Sequence, residues 1–103
     1  MYYIHFYVPE SHQNEVKEAM FRAGAGKIGT YDCCAWQTKG EGHFRPLEDS
    51  SPFLGHEGQR EKVSEYKVEM VCDDNCIKEV VAALKKTHPY ETPAFAVMKL
   101  EKF

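Results

Sequence analysis

Glycine is missing from both flanks of this 103-residue chain: all seven lie between Gly24 and Gly58. Glycine serves where the backbone needs positive φ or close approach and costs entropy elsewhere. Its absence from the flanks leaves them free to form regular structure and marks the middle third as the working region. No apolar run approaches the roughly 20 residues needed to cross a bilayer. Basic residues are not in excess either: 13 Lys and Arg stand against 16 Asp and Glu, for a net charge of −3 and a pI near 5.9. That balance argues against nucleic acid as a partner, because such affinity rests on neutralising phosphates. The start, MYYIHFYVPE, lacks the basic segment and small-residue cleavage site of a secretory signal, so neither secretion nor a membrane is expected and the cytoplasm is the expected compartment. No two of the four cysteines (Cys33, Cys34, Cys72, Cys76) make a C-x-x-C pair. In a reducing compartment they read as small hydrophobes.

What is present reads as one domain over residues 1–103. Residues 2–9 are aromatic and β-branched and end at Pro9, a strand. Ser11 is the expected N-cap of a helix over about 12–23, with Val16, Ala19, Met20 and Ala23 as its apolar stripe and Gly24 at its C′ position. His12 then lies exposed on the first turn. Residues 31–38 read as a second strand, and 39–59, rich in Gly, Pro, Asp and Ser, as a long loop. From Lys62 to Cys72 apolar residues alternate with Lys67, Glu69 and Val71, a strand with one wet face. Asp73 and Asp74 are expected to cap a second helix with Ile77, Val80, Val81 and Leu84 as its stripe and Lys85 and Lys86 at its C-terminal dipole. Pro89 stops it, and 94–101 form the last strand.

The order β-α-β-β-α-β predicts an α+β, ferredoxin-like fold: a four-stranded antiparallel sheet, both helices on one face, and a long loop between strands 2 and 3. Tyr3, His5, Tyr7, Trp36, Phe95 and Val97 are expected on the other face. A monomer rarely leaves such a surface open, so self-association is expected.

Gly24–Gly29 matches G-x-G-x-x-G letter for letter, but it closes a helix and opens a strand. Pyrophosphate binding needs the reverse order, so the segment reads as a helix stop and turn. The loop motifs Gly40-Glu41-Gly42-His43-Phe44-Arg45-Pro46 and Pro52-Phe53-Leu54-Gly55-His56 hold Phe44, Phe53 and Leu54, which a solvated loop does not need. They read as anchors onto the chain's own domain, a neighbouring subunit or a ligand. In His88-Pro89-Tyr90-Glu91-Thr92-Pro93 the two prolines fix an extended connector. His88, Tyr90 and Glu91 can offer polar tips to a cleft between subunits.

Candidate ligand or interface residues are therefore Gly40, Gly42, His43, Phe44, Arg45, Pro52, Phe53, Gly55, His88, Tyr90 and Glu91. Lys27 and Arg45 are candidates for binding an anion or nucleotide. His43, His56, His88, Cys33 and Cys34 could make a nitrogen–sulfur site suited to copper or zinc. A cysteine nucleophile lacks any sign of a depressed thiol pKa.

The connector THPYETPAF resembles the HPYE-x-P signature of the CutA family, small ferredoxin-like proteins that form homotrimers and share their architecture with PII signalling proteins. AGAGKIGTYDCCAW, GEGHFRP, PFLG and HPYETPAF, in that order, resemble the inserted PII/CutA-like domain of the Nif-three-like (NGG-interacting-factor-three) family over nearly the whole chain, here as a stand-alone version. In full-length members that domain sits within a larger metalloprotein and helps it oligomerise. The flanking domains that carry the dinuclear metal site have no counterpart among these residues. The hydrolase or GTP cyclohydrolase label sometimes given to the family therefore does not extend to this sequence. The resemblance implies a non-enzymatic, homotrimeric module that binds a protein partner or small ligand, with the loop and the HPYE connector near the subunit boundaries.

Overall fold

The computed structural model describes residues 1–103. Strand β1 is Tyr2–Pro9, and a 3-10 turn over Glu10–His12 leads into helix α1, Gln13–Arg22. β2 is Trp36–Phe44, β3 is Glu61–Cys72, α2 is Ile77–Thr87 and β4 is Phe95–Lys99. The four strands pair antiparallel throughout in the order β2-β3-β1-β4. This is the expected ferredoxin-like arrangement.

Alternation decides which face each side chain takes. Ile4, Phe6 and Val8 of β1 oppose Met70, Val68 and Tyr66 of β3, and side chains of opposed residues share a face. On that face Ile4, Phe6, Val8, Val68, Met70 and Cys72 meet Val16 and Met20 of α1 and Val80 and Leu84 of α2. Ile4, Phe6, Met20 and Leu84 are fully buried, each contributing about 1.5–3 kcal/mol of transfer free energy. Phe95 and Val97 pair with Phe6 and Ile4 and pack against this core. That corrects their expected place on the opposite face.

The opposite face carries Tyr3, His5 and Tyr7 in a row, ring centroids 5.6 and 5.8 Å apart, with Trp36 beyond them. It is more polar than expected, because Lys67 and Glu69 of β3 share it. His5 Nδ1 is shielded from water and has no hydrogen-bond partner, while Trp36 is 70% exposed.

Helix α1 ends as read. Gly24 has φ +116°, its N–H donates to Phe21 O (3.0 Å) and the Ala25 N–H donates to Met20 O (3.1 Å). These two bonds form a Schellman motif with buried Ala25 as its apolar contact. The N-termini differ. Neither helix has a side-chain cap. Ser11 Oγ pairs with His12 Nδ1 (2.8 Å), because the 3-10 turn moves the helix start to Gln13. Asp73 receives the Cys76 N–H through its backbone carbonyl (3.0 Å), and the Asp74 carboxylate is taken by the N-terminal ammonium and by Lys99 (3.4 Å).

The largest departure is β2. The strand begins at Trp36, not near residue 31, and continues through Gly40 and Gly42 to Phe44. Its ladder partners on β3 run from Glu69 to Glu61. Six residues read as loop thus extend the sheet, because the alternate positions of a long β3 offer them backbone partners that outweigh the low strand propensity of glycine. No helix is long and apolar enough to cross a membrane.

Candidate functional site

The segment after β2 folds back over the end of the sheet. Gly58 N–H donates to Pro46 O (2.8 Å) and closes the loop at its base. Ser50 Oγ and Gln59 N–H bond to Leu47 O and His56 O inside it. One bond ties it to the connector after α2: Ser51 N–H donates to Glu91 Oε2 (2.9 Å). Phe53 lies 6.2 Å from the Tyr90 ring and edge-on to His12 at 5.4 Å, and Phe44 lies 6.4 Å from Tyr90. Phe53, the one aromatic residue of the loop, thus touches its own domain while staying 47% exposed, and Leu54 is 40% exposed.

Between loop, connector and the open sheet face lies a cleft of about 720 Å³. β2 contributes Gly40, Gly42, His43 and Phe44, the loop Pro52 and Phe53, and the connector Tyr90 and Glu91. Eight of the eleven residues singled out from sequence therefore meet around one cavity. Arg45, Gly55 and His88 do not line it. Arg45 is exposed. Gly55 (φ +87°) turns the loop against Glu61.

His88 serves the frame. It is 6% exposed, its Nε2–H donates to Tyr7 O (2.6 Å), and its Nδ1 accepts the Tyr90 N–H (3.1 Å). Both ring nitrogens are thus committed in one neutral tautomer, joining the connector to β1. Burial pushes its pKa down; the Tyr7 carbonyl and the Glu65 charge oppose that more weakly.

Glu65 is the residue that sequence reading missed. It is 8% exposed, and its Oε2 accepts the Tyr90 hydroxyl (2.7 Å). Its neighbour Gly42 is bare, and any Cβ there would run into the Glu65 carboxylate. Burial, then Glu65 as hydrogen-bond acceptor and charge, raises the Tyr90 pKa well above the usual phenol value. The available signal was the pairing of Gly40 with Glu65, visible only once β2 is known to be a strand. Tyr7, Lys67 and Glu69 complete the sheet side of the cleft.

The metal candidates are not gathered. His43 is exposed and paired with Glu41 (2.9 Å), His56 lies exposed in the loop, and both ring nitrogens of His88 are spent, one as donor and one as acceptor. Cys33 and Cys34 lie between α1 and β2, where the Cys34 N–H bonds to Gly26 O (2.8 Å). No three His, Cys, Asp or Glu side chains stand close enough to hold a metal. Desolvation, then the Asp32 and Glu18 charges, pushes the Cys33 thiol up, away from a nucleophile. Lys27 and Arg45, the anion candidates, both stay outside the cleft.

Comparison with known proteins places the chain among small α+β domains of two related settings. The family model described as "CutA1 divalent ion tolerance protein" matches residues 50–103. A "GTP cyclohydrolase 1 type 2 homolog" of Halalkalibacterium halodurans is 43% identical over 100 residues, covering 97% of this chain and 27% of the relative. A protein of the same description from Mycobacterium tuberculosis is 43% identical over 94 residues, 91% of this chain and 25% of the relative. The chain thus spans about a quarter of the length of these curated relatives. Among solved structures, a Bacillus cereus protein related to NIF3 superposes with a TM-score of 0.83 at 34% identity, over 98% of this chain and 26% of that one. CutA1 from Pyrococcus horikoshii superposes with a TM-score of 0.71 at 15% identity, over 100% of this chain and 86% of that one, a likeness of fold.

Proposed function

The chain belongs to the CutA1 divalent ion tolerance protein family, and on that premise we propose that it is a non-enzymatic, cytoplasmic module that assembles as a homotrimer and takes a protein partner or small ligand at its cleft. The observation that carries this reading is the open sheet face. Tyr3, His5, Tyr7 and Trp36 lie there without a covering layer, Trp36 70% and Tyr7 37% exposed. A closed ring of identical copies, each burying this face against a different patch of its neighbour, covers such a surface without a second gene product. The cleft supports binding over catalysis. No cysteine lines it, and its one histidine, His43, is paired with a carboxylate and not with a hydroxyl.

Light scattering of the purified protein is expected to return three copies of the 11.9 kDa chain. Trp36, the sole tryptophan, is expected to shift its emission to the red when dilution dissociates them. A clean monomer at micromolar concentration overturns the assembly.

The family's description favours a second reading, binding of a divalent or soft metal such as copper or zinc. Because the donors within one copy stand apart, such a site needs side chains from more than one copy. Elemental analysis of protein purified without an affinity tag decides it: metal-free protein that ignores added copper and zinc removes the reading.

A further inference from the structure

Resting on the reading of the cleft as a ligand site, we propose that it selects a small organic cation, an ammonium group carried on an apolar body, with Glu65 as the counter-ion. Glu65 is more than nine-tenths buried, and its side chain lies on the cleft face of β3. Tyr90 donates to one of its oxygens; the other, Oε1, lies toward Gly42 and receives no hydrogen bond. A buried carboxylate is costly until its remaining acceptor positions and its charge are matched.

The protein does not supply that match. Lys67, two residues along the same strand and face, is turned toward Glu69 (3.9 Å). Lys39 is turned toward Glu10 (3.7 Å). Four carboxylates (Glu41, Glu65, Glu69, Glu91) against two lysines leave the cleft negative, which disfavours phosphates and other anions.

Tyr90, which holds this carboxylate, has the rings of Phe44 and Phe53 at 6.4 and 6.2 Å from its own, and all three line the cleft. Aromatic faces attract ammonium groups, more strongly where water is excluded. Pro46, Pro52 and Leu54 extend the wall with apolar surface for the body of the ligand. The volume of about 720 Å³ is that of a small-molecule site. A bare metal ion fits poorly, because no group of three His, Cys, Asp or Glu side chains gathers at Glu65. Gly40 forms open floor: a Cβ added there meets nothing within 4 Å.

Calorimetric titration of the full chain with 2-phenylethylamine, and in parallel with uncharged 2-phenylethanol, ATP and zinc, tests this. The amine is expected to bind at least about tenfold more tightly than the alcohol, the ratio set by a hydrogen bond to a charged group. Glu65→Gln keeps the shape and the acceptor for Tyr90 and is expected to abolish that preference. Gly40→Val is expected to fold normally and block the amine by filling the floor. Equal binding of amine and alcohol, an indifferent Glu65→Gln, undiminished binding to Gly40→Val, or no heat from the amine up to about 10 mM, well beyond the affinity of a specific site, overturns the proposal. Tighter binding of ATP or zinc overturns it as well. Light scattering on the same samples separates the two claims. A trimer that ignores the amine removes the ligand class alone, and a monomer removes the parent reading.

Discussion

Gly40 and Gly42 lie two residues apart on the same face of β2, yet alanine at the two positions is expected to have opposite effects on stability. At Gly42 a methyl group runs into the Glu65 carboxylate. Glu65 must swing away and give up the Tyr90 hydroxyl, a bond of 2.7 Å to a charged acceptor. Loss of such a bond costs about 1.5–3 kcal/mol. Alanine also narrows the unfolded ensemble, which offsets about 0.4–1 kcal/mol at a strand position it can adopt. The net cost at Gly42 is then about 0.5–2.6 kcal/mol. At Gly40 only the second effect operates, because nothing stands within 4 Å of the new methyl. Gly40→Ala is therefore expected to stabilise by about 0.4–1 kcal/mol. Urea unfolding at one fixed protomer concentration reads both, the midpoint moving down for Gly42→Ala and up for Gly40→Ala. Tyr90→Phe removes the same hydrogen bond from its other end. The double variant Gly42→Ala/Tyr90→Phe is therefore expected to lose less than the sum of its parts. Equal midpoints for the two alanine variants, or strict additivity with Tyr90→Phe, refutes the nesting of Glu65 against a bare strand.

The neutral, doubly bonded His88 makes stability depend on pH. Its folded pKa lies below the ordinary value near 6.5, so the unfolded chain binds the proton more readily. Its contribution is complete above about pH 6.5 and is lost as pH falls toward the depressed folded value. His88→Gln, which can also donate to Tyr7 O and accept from Tyr90 N–H, is expected to flatten the acid limb of a melting-temperature profile; an unchanged limb refutes the assignment. At the alkaline end, Tyr3 is held up to about 12, first by burial and then by its hydrogen bond to Glu69. Stability from this group is present below its unfolded value of about 10 and fades as pH rises through the folded value. In a titration followed by ultraviolet absorbance, Tyr3 and Tyr90 are expected to ionise above the usual phenol range. Tyr3→Phe should remove one of these late protons, and loss of an early one instead refutes the pairing with Glu69.

Much of the fold was legible because both periodicities are strong. Helix α1 carries Val16, Ala19 and Met20 on its buried side, and α2 carries Val80 and Leu84. β1 and β3 show the alternation of strands with one covered face. Where reading failed, a local rule met a tertiary partner. Residues 39–44 carry two glycines and three charged or titratable side chains, a loop by composition, yet β3 is twelve residues long and pairs with them. Phe95 and Val97 are apolar and alternate as strand residues do, but a strand's pattern alone does not say which of its faces turns inward. The register with Ile4 and Phe6 decides that. Asp73 and Asp74 are good capping types; the N-terminus and Lys99, both remote in sequence, compete for Asp74.

The candidate site was legible in its walls and not in its charge. Aromatic residues in a glycine-rich segment and a rigid HPYE connector announced contact, and Phe44, Phe53 and Tyr90 do converge. His88 was singled out for its chemistry, but its imidazole is consumed in holding the connector to β1. Glu65 sits inside an ordinary amphipathic strand, one glutamate among several, and nothing local sets it apart. What makes it special is the absence of a side chain across the ladder, at Gly40 and Gly42. The first glycine leaves open floor and the second leaves room for a carboxylate. The glycines of β2 therefore differ in kind from Gly24 and Gly55, whose φ values of +116° and +87° turn the chain. At those two positions glycine supplies backbone freedom; in β2 it supplies space, and space beside a buried charge is what distinguishes a binding site from a turn.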